Sequence, residues 1–182
     1  MATGHDLSLA LFDGEALAGE TVIEGMRGQA EALVPAVAAL VGDRRADRVV
    51  VEVGPGSFTG LRVGIAAARA LGLAWGADVR GVSSVAMVAA AVAERPLWVA
   101  LAAPRGQAWL ARVDAEEHAP FVWRVGEASP VREGDAVAGH GAALLAQGRV
   151  VHTAPPRARY ALACTLLPPS ALYVRHVDHV GA

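Results

Sequence analysis

The chain has 182 residues, of which 54% are hydrophobic and 19% are charged. A chain of this length buries roughly 70% of the surface that it exposes when unfolded, and its composition is typical of a compact globular protein rather than a disordered or fibrous one. The formal charge of −2 provides no basic surface for nucleic acid, and all sixteen basic residues are arginine, which excludes chemistry that needs a lysine amine.

Cellular location is indicated by three features. The charge-free stretch from Gly81 to Ala93 is too short to span a bilayer, and no secretory signal opens the sequence. Cys164 is the one cysteine, so no internal disulfide can form. We therefore expect a cytoplasmic protein that does not associate with membranes.

Hydrophobic periodicity predicts alternating strands and helices in the first half of the chain. The run from Leu7 to Phe12 alternates and meets Asp13-Gly14, a strong signal for a hairpin that returns along Ala16 to Ile23. The expected elements that follow are a helix from Ala30 to Val41, a strand from Arg48 to Val53, a helix from Thr59 to Trp75, a strand from Arg80 to Val82 and a helix from Ser83 or Ser84 to about Ala93. Pro35 predicts a kink or a late start in the first helix. This order is typical of an α/β architecture.

The pattern changes after Arg95-Pro96, where we place a domain boundary. The expected elements of the second part are strands from Leu97 to Ala102, Gln107 to Val113 and Phe121 to Val125, a strand end at Val137-Ala138, a short helix from Ala142 to Gln147, a strand at Val150-Val151 and a helix from Arg159 to Leu167. Leu172 to Arg175 is either a last strand or an ordered tail. The predicted domains are residues 1–95 and 96–182.

Residues 54–60, Gly-Pro-Gly-Ser-Phe-Thr-Gly, join a predicted strand to a predicted helix. Such a turn can direct backbone N–H groups at a phosphate, and the helix N-terminus adds partial positive charge. A Walker A loop is excluded because the chain has no lysine, and the dinucleotide fingerprint fails because Thr59 stands where its third glycine belongs. A phosphate cradle and a purely structural turn both fit this pattern. The candidate phosphate-binding residues are Gly54, Gly56, Ser57, Thr59, Gly60 and Arg62.

Small residues recur at every fourth position of the second predicted helix, at Gly60, Gly64, Ala68, Gly72 and Gly76. A glycine inside a helix costs up to about 1 kcal/mol relative to alanine, so several together need a compensating contact. This small-residue ridge packs either inside the chain, on its own sheet or on the first helix, or against a helix of another chain.

The other polar residues do not form a recognisable catalytic or metal site. Ser57 is not in a Gly-x-Ser-x-Gly motif, and Glu52 is a lone carboxylate in a valine-rich strand. His176 and His179 fall in a terminal segment that we expect to be extended rather than helical, so we predict no metal site there. Cys164 is expected to be a small core residue. Taken alone, these residues favour a binding or scaffold protein over a self-sufficient enzyme.

The segment from Val53 to Gly64 resembles the signature of the TsaB (YeaZ) family, the bacterial partner subunits in threonylcarbamoyladenosine modification of tRNA. Further matches are residues 7–14 with their hairpin, Glu31-Ala32-Leu33-Val34-Pro35, Gly81-Val82-Ser83-Ser84, Arg105-Gly106-Gln107 and Leu172-Tyr173-Val174-Arg175. The resemblance implies an α/β fold of two actin-like (ribonuclease H-like) subdomains, of which the second is reduced.

The resemblance also implies a non-catalytic subunit that binds and stabilises a TsaD-like enzyme, with a TsaE-like ATPase completing the assembly. The TsaD-like enzyme would hold the metal and transfer the threonylcarbamoyl group, and tRNA would be contacted only through the complex. Alone, the chain would bind no cofactor. Two alternatives stay open at this point: whether the lone chain is a monomer or a homodimer, and whether ATP or ADP binds at a partner interface. Because the family uses its first two helices for this contact, the implied partner-binding residues are Ala30, Leu33, Val34, Val37, Gly60, Gly64, Ala68 and Gly72.

Two departures from the family pattern stand out. Its members begin with an apolar strand that ends in Asp-Thr just before the position of Met1, so we expect here a late start, a truncation or a sheet without its first strand. Ala102-Ala103-Pro104 stands where the family has Asp-Ala-Arg, which removes polar groups from that position. The alternative function is a nucleotide-binding enzyme of the actin-like ATPase superfamily; a peptidase lacks a visible nucleophile–base pair or metal motif.

Overall fold

The computed structural model describes residues 1–2, 6–25 and 29–174. Its strands are β1 (Leu7–Asp13), β2 (Ala16–Ile23), β3 (Arg48–Gly54), β4 (Asp78–Ser83), β5 (Leu97–Ala103), β6 (Gln107–Val113), β7 (Phe121–Arg124), β8 (Ala136–Ala138) and β9 (Arg149–His152). Its α-helices are α1 (Gln29–Val41), α2 (Phe58–Trp75) and α3 (Ser84–Ala90), and two 3-10 helices span Ala142–Leu144 and Ala158–Ala163. The mixed α/β fold is the one predicted.

The chain opens with the predicted antiparallel hairpin, in which β1 and β2 pair around Gly14 at φ 58°. Helix α1 then buries Leu33 and Val37 against Leu7 and Leu9 of β1. Pro35 lies within α1, which starts at Gln29 and includes the proline rather than beginning after it.

Strands β3 and β4 form a parallel pair that is connected by α2. Ser57 caps the N-terminus of α2, and Gly76, at φ 69°, ends the helix in the left-handed conformation. Ile65 and Ala68 of α2 pack on Val51 of β3 and its neighbours. Ser83 caps the short helix α3 through bonds from the backbone N–H groups of Val85 and Ala86.

The second part of the chain builds one five-stranded sheet in the order β7-β6-β5-β8-β9. Strands β5, β6 and β7 are antiparallel neighbours, whereas β8 runs parallel to both β5 and β9. Val85 and Val88 of α3 pack on Leu97 and Val99 of this sheet. The strands before residue 95 (β1–β4) and those after it (β5–β9) belong to different sheets, and α3 contacts both β3–β4 and β5.

The chain after β9 differs from the prediction. Residues between 158 and 174 contact the first half of the molecule: Ala158 N–H donates to Ser8 Oγ, and Leu172 N–H donates to Val53 O. The predicted helix from Arg159 to Leu167 is wrong, because only Ala158–Ala163 forms a 3-10 helix and Leu167 exchanges two backbone hydrogen bonds with Gly81, which requires extended backbone.

Three smaller expectations concern the remaining segments. The predicted helix from Ala142 to Gln147 is a single 3-10 turn, Ala142–Leu144, after which Leu145 is extended. Residues 172–174 form no strand. Arg175, His176 and His179 lie outside the described residues. Within the described part of the chain, no helix is both long and apolar enough to cross a bilayer.

Candidate functional site

The loop from Gly54 to Gly60 has a backbone that only glycine tolerates at its first position. Gly54 lies at φ 115°, and a Cβ built there would stand 2.8 Å from the carbonyl oxygen of Leu172. At the other end of the loop, Ser57 Oγ accepts a hydrogen bond of 3.3 Å from Gly60 N–H. The serine and both outer glycines therefore have structural roles in turning β3 into α2.

This loop forms one wall of a cleft of about 600 Å³ between the two halves of the molecule. The opposite wall consists of residues 101–104 with Trp109 and His140, and Glu52 lies among the lining residues. Residues 172–174 close the cleft on a further side. Ala102-Ala103-Pro104 thus faces the glycine-rich loop across the cleft with no polar side chain.

Three of the six candidate phosphate-binding residues line the cleft, namely Gly56, Ser57 and Thr59, whereas Gly54, Gly60 and Arg62 do not. Arg62 lies on the exposed side of α2. Its guanidinium carbon is 3.9 Å from the ring centroid of Phe58, and its Nε donates to Tyr173 Oη at 3.0 Å. Phe58 and Tyr173 also contact each other, with ring centroids 5.5 Å apart. The arginine therefore holds the segment around Tyr173 on α2 instead of facing the cleft.

Glu52 is the residue of this site that sequence reasoning left without a role. Its side chain is 1% exposed, and its Oε1 accepts a hydrogen bond of 2.6 Å from the hydroxyl of Ser84, which is fully buried. The signal in the sequence was a carboxylate that interrupts the valine run of β3, which indicates a buried polar contact. The partner, Ser84, could not be identified from the sequence because it is more than thirty residues away.

The side chains around the cleft do not suit a polyphosphate. Among the sixteen described residues that line it, the titratable side chains are Glu52, His140 and Tyr173, and none is an arginine. Phosphate sites in proteins combine backbone N–H groups with cationic side chains or a metal, and a buried carboxylate repels phosphate. Within the described part of the chain, no group of three His, Cys, Asp or Glu residues is arranged to hold a metal ion.

Most of the small-residue ridge of α2 is buried inside the chain, which is the first of the two predicted alternatives. Gly64, Ala68 and Gly72 are buried, and Ala68 packs with Val51 and Ile65 in the chain's own core. Leu33 and Val37 of α1 are likewise buried, against β1. These five positions are buried and therefore not accessible to a partner. On α2, Ala68 and Gly72 let the helix approach the β3–β4 sheet closely. Gly60 is half-buried at the helix start.

The opposite side of α1 and α2 is exposed and largely apolar. Val34 on α1 is 63% exposed and Leu73 on α2 is 89% exposed, which is unusual for side chains of this size. We define the α1–α2 outer face by its exposed apolar residues, which are Ala30, Val34, Pro35, Ala38 and Ala39 on α1 and Ala66, Ala70, Leu73 and Ala74 on α2. Of the predicted partner-binding residues, Ala30 and Val34 belong to this face.

Among the described residues, two titratable groups outside the cleft have raised pKa values, namely Glu117 and Cys164. Burial raises the pKa of Glu117, whose Oε1 accepts a hydrogen bond of 2.6 Å from Ser83 Oγ, a bond that partly offsets the effect. Burial, together with the nearby charge of Glu117, raises the pKa of Cys164 to about 11. A thiol with that pKa is a poor nucleophile at neutral pH.

Sequence comparison matches the chain to one family. A sequence model described as "TsaD: tRNA N6-adenosine threonylcarbamoyltransferase" matches residues 27–119, just over half of the chain. An uncharacterized protein of Mycobacterium bovis is 47% identical over 72 residues, which are 37% of this chain and 34% of that protein. An uncharacterized protein of Mycobacterium leprae is 40% identical over 84 residues, 42% of this chain and 23% of that protein. The chain thus aligns with about a third or less of the length of these relatives.

Comparison with solved structures matches nearly the whole fold. A crystal structure of an uncharacterized protein with similarity to the peptidase YeaZ from Pseudomonas aeruginosa superposes with a TM-score of 0.76 at 22% identity, covering 96% of this chain and 97% of that one. YeaZ from Pseudomonas aeruginosa superposes with a TM-score of 0.71 at 22% identity, covering 89% and 86%. The overall architecture is therefore the actin-like, ribonuclease H-like fold of YeaZ.

Proposed function

Because the chain belongs to the TsaD family, described as tRNA N6-adenosine threonylcarbamoyltransferase, we propose that it is a non-catalytic subunit of the machinery that makes threonylcarbamoyladenosine in tRNA. In this role it binds and stabilises a TsaD-like catalytic subunit, as the resemblance to the TsaB (YeaZ) family implies. A TsaE-like ATPase completes the assembly, and tRNA is contacted only through the complex. Such a function belongs to the cytoplasm.

The α1–α2 outer face is the observation that carries this proposal. Leucine and valine side chains exposed to the extent of Leu73 and Val34 leave apolar surface in water, and a partner that covers them recovers roughly 25 cal/mol for each Å² removed from water. Arg62 and Arg69 lie on the same exposed side of α2. An apolar centre with arginines beside it is a common composition of a protein–protein interface.

The cleft supports the non-catalytic part of the proposal. Its described lining has one buried carboxylate and no arginine, so this lining by itself does not fit the phosphates of a nucleotide. ATP or ADP at the interface with the TsaD-like subunit stays a prediction in which the partner supplies the positive charge. The transfer chemistry is assigned to that partner because the resemblance to the TsaB (YeaZ) family implies it.

The test of the proposed function is light scattering coupled to size exclusion, with the chain alone and mixed with the TsaD-like protein of the same organism. We expect a one-to-one complex, and a homodimer of the chain alone that the partner displaces. Leu73→Arg and Val34→Arg place a charge in the outer face and should each weaken the complex by roughly 100-fold.

The matched control for these variants is Val125→Arg, which adds the same charge at a side chain that is 56% exposed but lies beyond the end of β7. All three variants should keep the melting temperature of the parent chain, because all three side chains are exposed. Unchanged complex formation by Leu73→Arg and Val34→Arg would contradict the assignment of this face. If the parent chain forms no complex with the TsaD-like protein, the proposed role as its subunit would be contradicted.

The alternative function is a nucleotide-binding enzyme of the actin-like superfamily. It is favoured by the position of the cleft, since Gly56, Ser57 and Thr59 at the start of α2 line a volume of about 600 Å³. Calorimetry with ATP and Mg²⁺ separates the two functions. An enzyme of this kind binds nucleotide alone at micromolar to millimolar concentration, whereas we expect no heat of binding from the isolated chain.

A further inference from the structure

The segment that follows the second 3-10 helix lies on β3 and β4 through backbone contacts. Leu167 exchanges two backbone hydrogen bonds with Gly81, at 2.6 and 2.8 Å. Leu172 N–H donates a backbone hydrogen bond of 2.7 Å to Val53 O. The contact is so close that a Cβ built on Gly81 would stand 2.5 Å from Pro168 O. The segment is therefore fixed on the two strands as far as Leu172.

The contacts of the chain change in kind after Leu172. Tyr173 and Val174 make no backbone–backbone hydrogen bond to the described residues. Tyr173 is held through its side chain instead: its Oη accepts a hydrogen bond of 3.0 Å from Arg62 Nε, and its ring contacts that of Phe58. Phe58 is 55% exposed and Tyr173 is 50% exposed, so water competes for these contacts. Rotation of the backbone just after Leu172 is therefore opposed by side-chain contacts at the surface.

Tyr173 and Val174 also form part of the wall of the cleft, which they line together with Leu172. The cleft has a volume of about 600 Å³, and Ala102 of β5 lines another of its walls. Tyr173 thus reaches from the cleft to the exposed side of α2, where Arg62 lies. A rotation that breaks the bond to Arg62 removes this side chain from the wall and widens the cleft.

We propose that Tyr173 is a gate of the cleft, that Arg62 is the latch of this gate, and that a partner seated on the α1–α2 outer face holds the gate shut. The structure has the closed state, in which the bond between Arg62 and Tyr173 is formed. In the open state Tyr173 has left α2 and the cleft is accessible from solvent. The gate itself needs no partner, whereas its closure by a partner rests on the proposed function.

Arg62 connects the gate to the outer face through its place on α2. It lies four residues before Ala66, on the same side of the helix, and Ala66 belongs to the outer face. A protein that covers this side removes the water that competes for the bond between Arg62 and Tyr173, and a hydrogen bond is stronger where the local dielectric is low. It also buries ring surface of Phe58 and Tyr173, which favours the closed state. Assembly should therefore close the cleft, so that a small molecule has to enter before the partner binds.

The experiment measures access to the cleft with a cysteine placed in its wall. The reporter chain is the full chain with Ala102→Cys and with Cys164→Ser, which removes the one native thiol. Its rate of labelling by fluorescein maleimide is read by mass spectrometry of the chain. When opening is fast compared with labelling, this rate is proportional to the open fraction.

Arg62→Ala should raise the labelling rate of the reporter chain about tenfold, because the closed state loses a hydrogen bond and a cation–π contact. Tyr173→Phe keeps the ring and removes the hydroxyl, so the closed state loses the hydrogen bond alone. This variant should raise the rate about threefold.

Arg69→Ala is the matched control, since Arg69 is the other arginine on the exposed side of α2. Arg69 Nη2 donates to Pro169 O at 2.8 Å, within the part of the segment that backbone contacts fix. This variant should leave the labelling rate of the reporter chain unchanged. A second reporter, Ala128→Cys, is at an exposed position outside the cleft and should be labelled equally fast in every variant.

A saturating concentration of the TsaD-like protein should slow the labelling of the reporter chain by at least roughly fivefold. Light scattering on the same samples follows complex formation. The Arg62→Ala form of the reporter chain should be labelled faster in its complex than the unchanged reporter chain is, because the latch is missing. This comparison separates a closed gate from direct shielding of the cleft by the partner.

Three results would count against the proposal in different ways. Equal labelling rates of the isolated reporter chain with and without Arg62→Ala would overturn the gate. A rate that does not fall in the complex, or that falls equally with Arg62→Ala, would overturn closure by the partner through the latch. If light scattering detects no complex, the proposed function is contradicted and closure by the partner with it, while the isolated chain still decides the gate.

Discussion

Gly72 on α2 and Val79 on β4 lie so close that a Cβ built on the glycine would stand 2.3 Å from Val79 Cγ2. Helix and strand are therefore in backbone-to-side-chain contact at this point, and the carbonyl oxygen of Ala77 would be 3.3 Å from the same Cβ. The buried small residues Gly64, Ala68 and Gly72 thus serve the packing of the chain on itself, and only the other side of α2 is exposed.

Gly72→Ala should lower stability even though alanine is the better helix former. The clash with Val79 forces a shift that typically costs about 1–3 kcal/mol, against a gain of about 1 kcal/mol in helix propensity. Chemical denaturation measures the change in the free energy of unfolding. In a double-mutant cycle, Gly72→Ala should cost less free energy of unfolding when Val79 is also changed to alanine, because the clashing methyl group is gone. Additive effects of Gly72→Ala and Val79→Ala would contradict the contact between the two residues.

Ser84→Ala should destabilise the protein by about 1–3 kcal/mol, because the buried carboxylate of Glu52 loses a hydrogen bond of 2.6 Å. Denaturant unfolding measures this loss. The matched control is Ser170→Ala at an exposed position, which should change the free energy of unfolding by less than about 0.5 kcal/mol. Equal effects of the two variants would show that the Ser84–Glu52 bond does not contribute to stability.

Cys164 should react slowly with thiol reagents in the folded protein. Its pKa is raised from 9.0 to about 11, so at pH 8 the fraction of thiolate is roughly 100-fold lower than in the unfolded chain. The Cys164 thiol also donates a hydrogen bond of 3.2 Å to Tyr160 O. The rates of reaction of Cys164 with a chromogenic disulfide, measured in buffer and in urea, give the ratio between the folded and the unfolded chain. Comparable rates in both would contradict the raised pKa of Cys164.

Glu117→Gln should raise the melting temperature at neutral pH by about a degree or two. The pKa of Glu117 is raised above 4.5 in the folded state, so the folded protein holds the proton more tightly than the unfolded chain does, and stability falls as pH rises through this pKa. Glutamine keeps an oxygen for the Ser83 hydroxyl and removes the charge. The increase in melting temperature over the parent should shrink as pH falls toward 4. An increase that grows at low pH would show that the pKa of Glu117 is lowered rather than raised.

Most elements could be predicted from the sequence because each carries a local signal. The Asp13-Gly14 turn, the capping Ser57 and Ser83 and the β-branched run of β3 all act within a few residues of the structure that they determine. The strand at Val150-Val151 was confirmed as part of β9, but both helices predicted after residue 142 were wrong, because these short alanine-rich segments have no strong period. There the backbone of Leu167 follows its bonds to Gly81, a contact across more than eighty residues that no local pattern contains.

The candidate site divides in the same way. The glycine-rich loop and the family resemblance were determined by the sequence alone, because Gly54 to Gly60 is a contiguous string. Only the tertiary structure decided that Arg62 binds Tyr173 instead of facing the cleft, that Glu52 pairs with Ser84, and that Gly64, Ala68 and Gly72 are buried while Val34 and Leu73 are exposed. Helical spacing shows which residues share a side of a helix, but which side faces the core depends on the sheet that the helix packs against, and that sheet comes from distant parts of the chain.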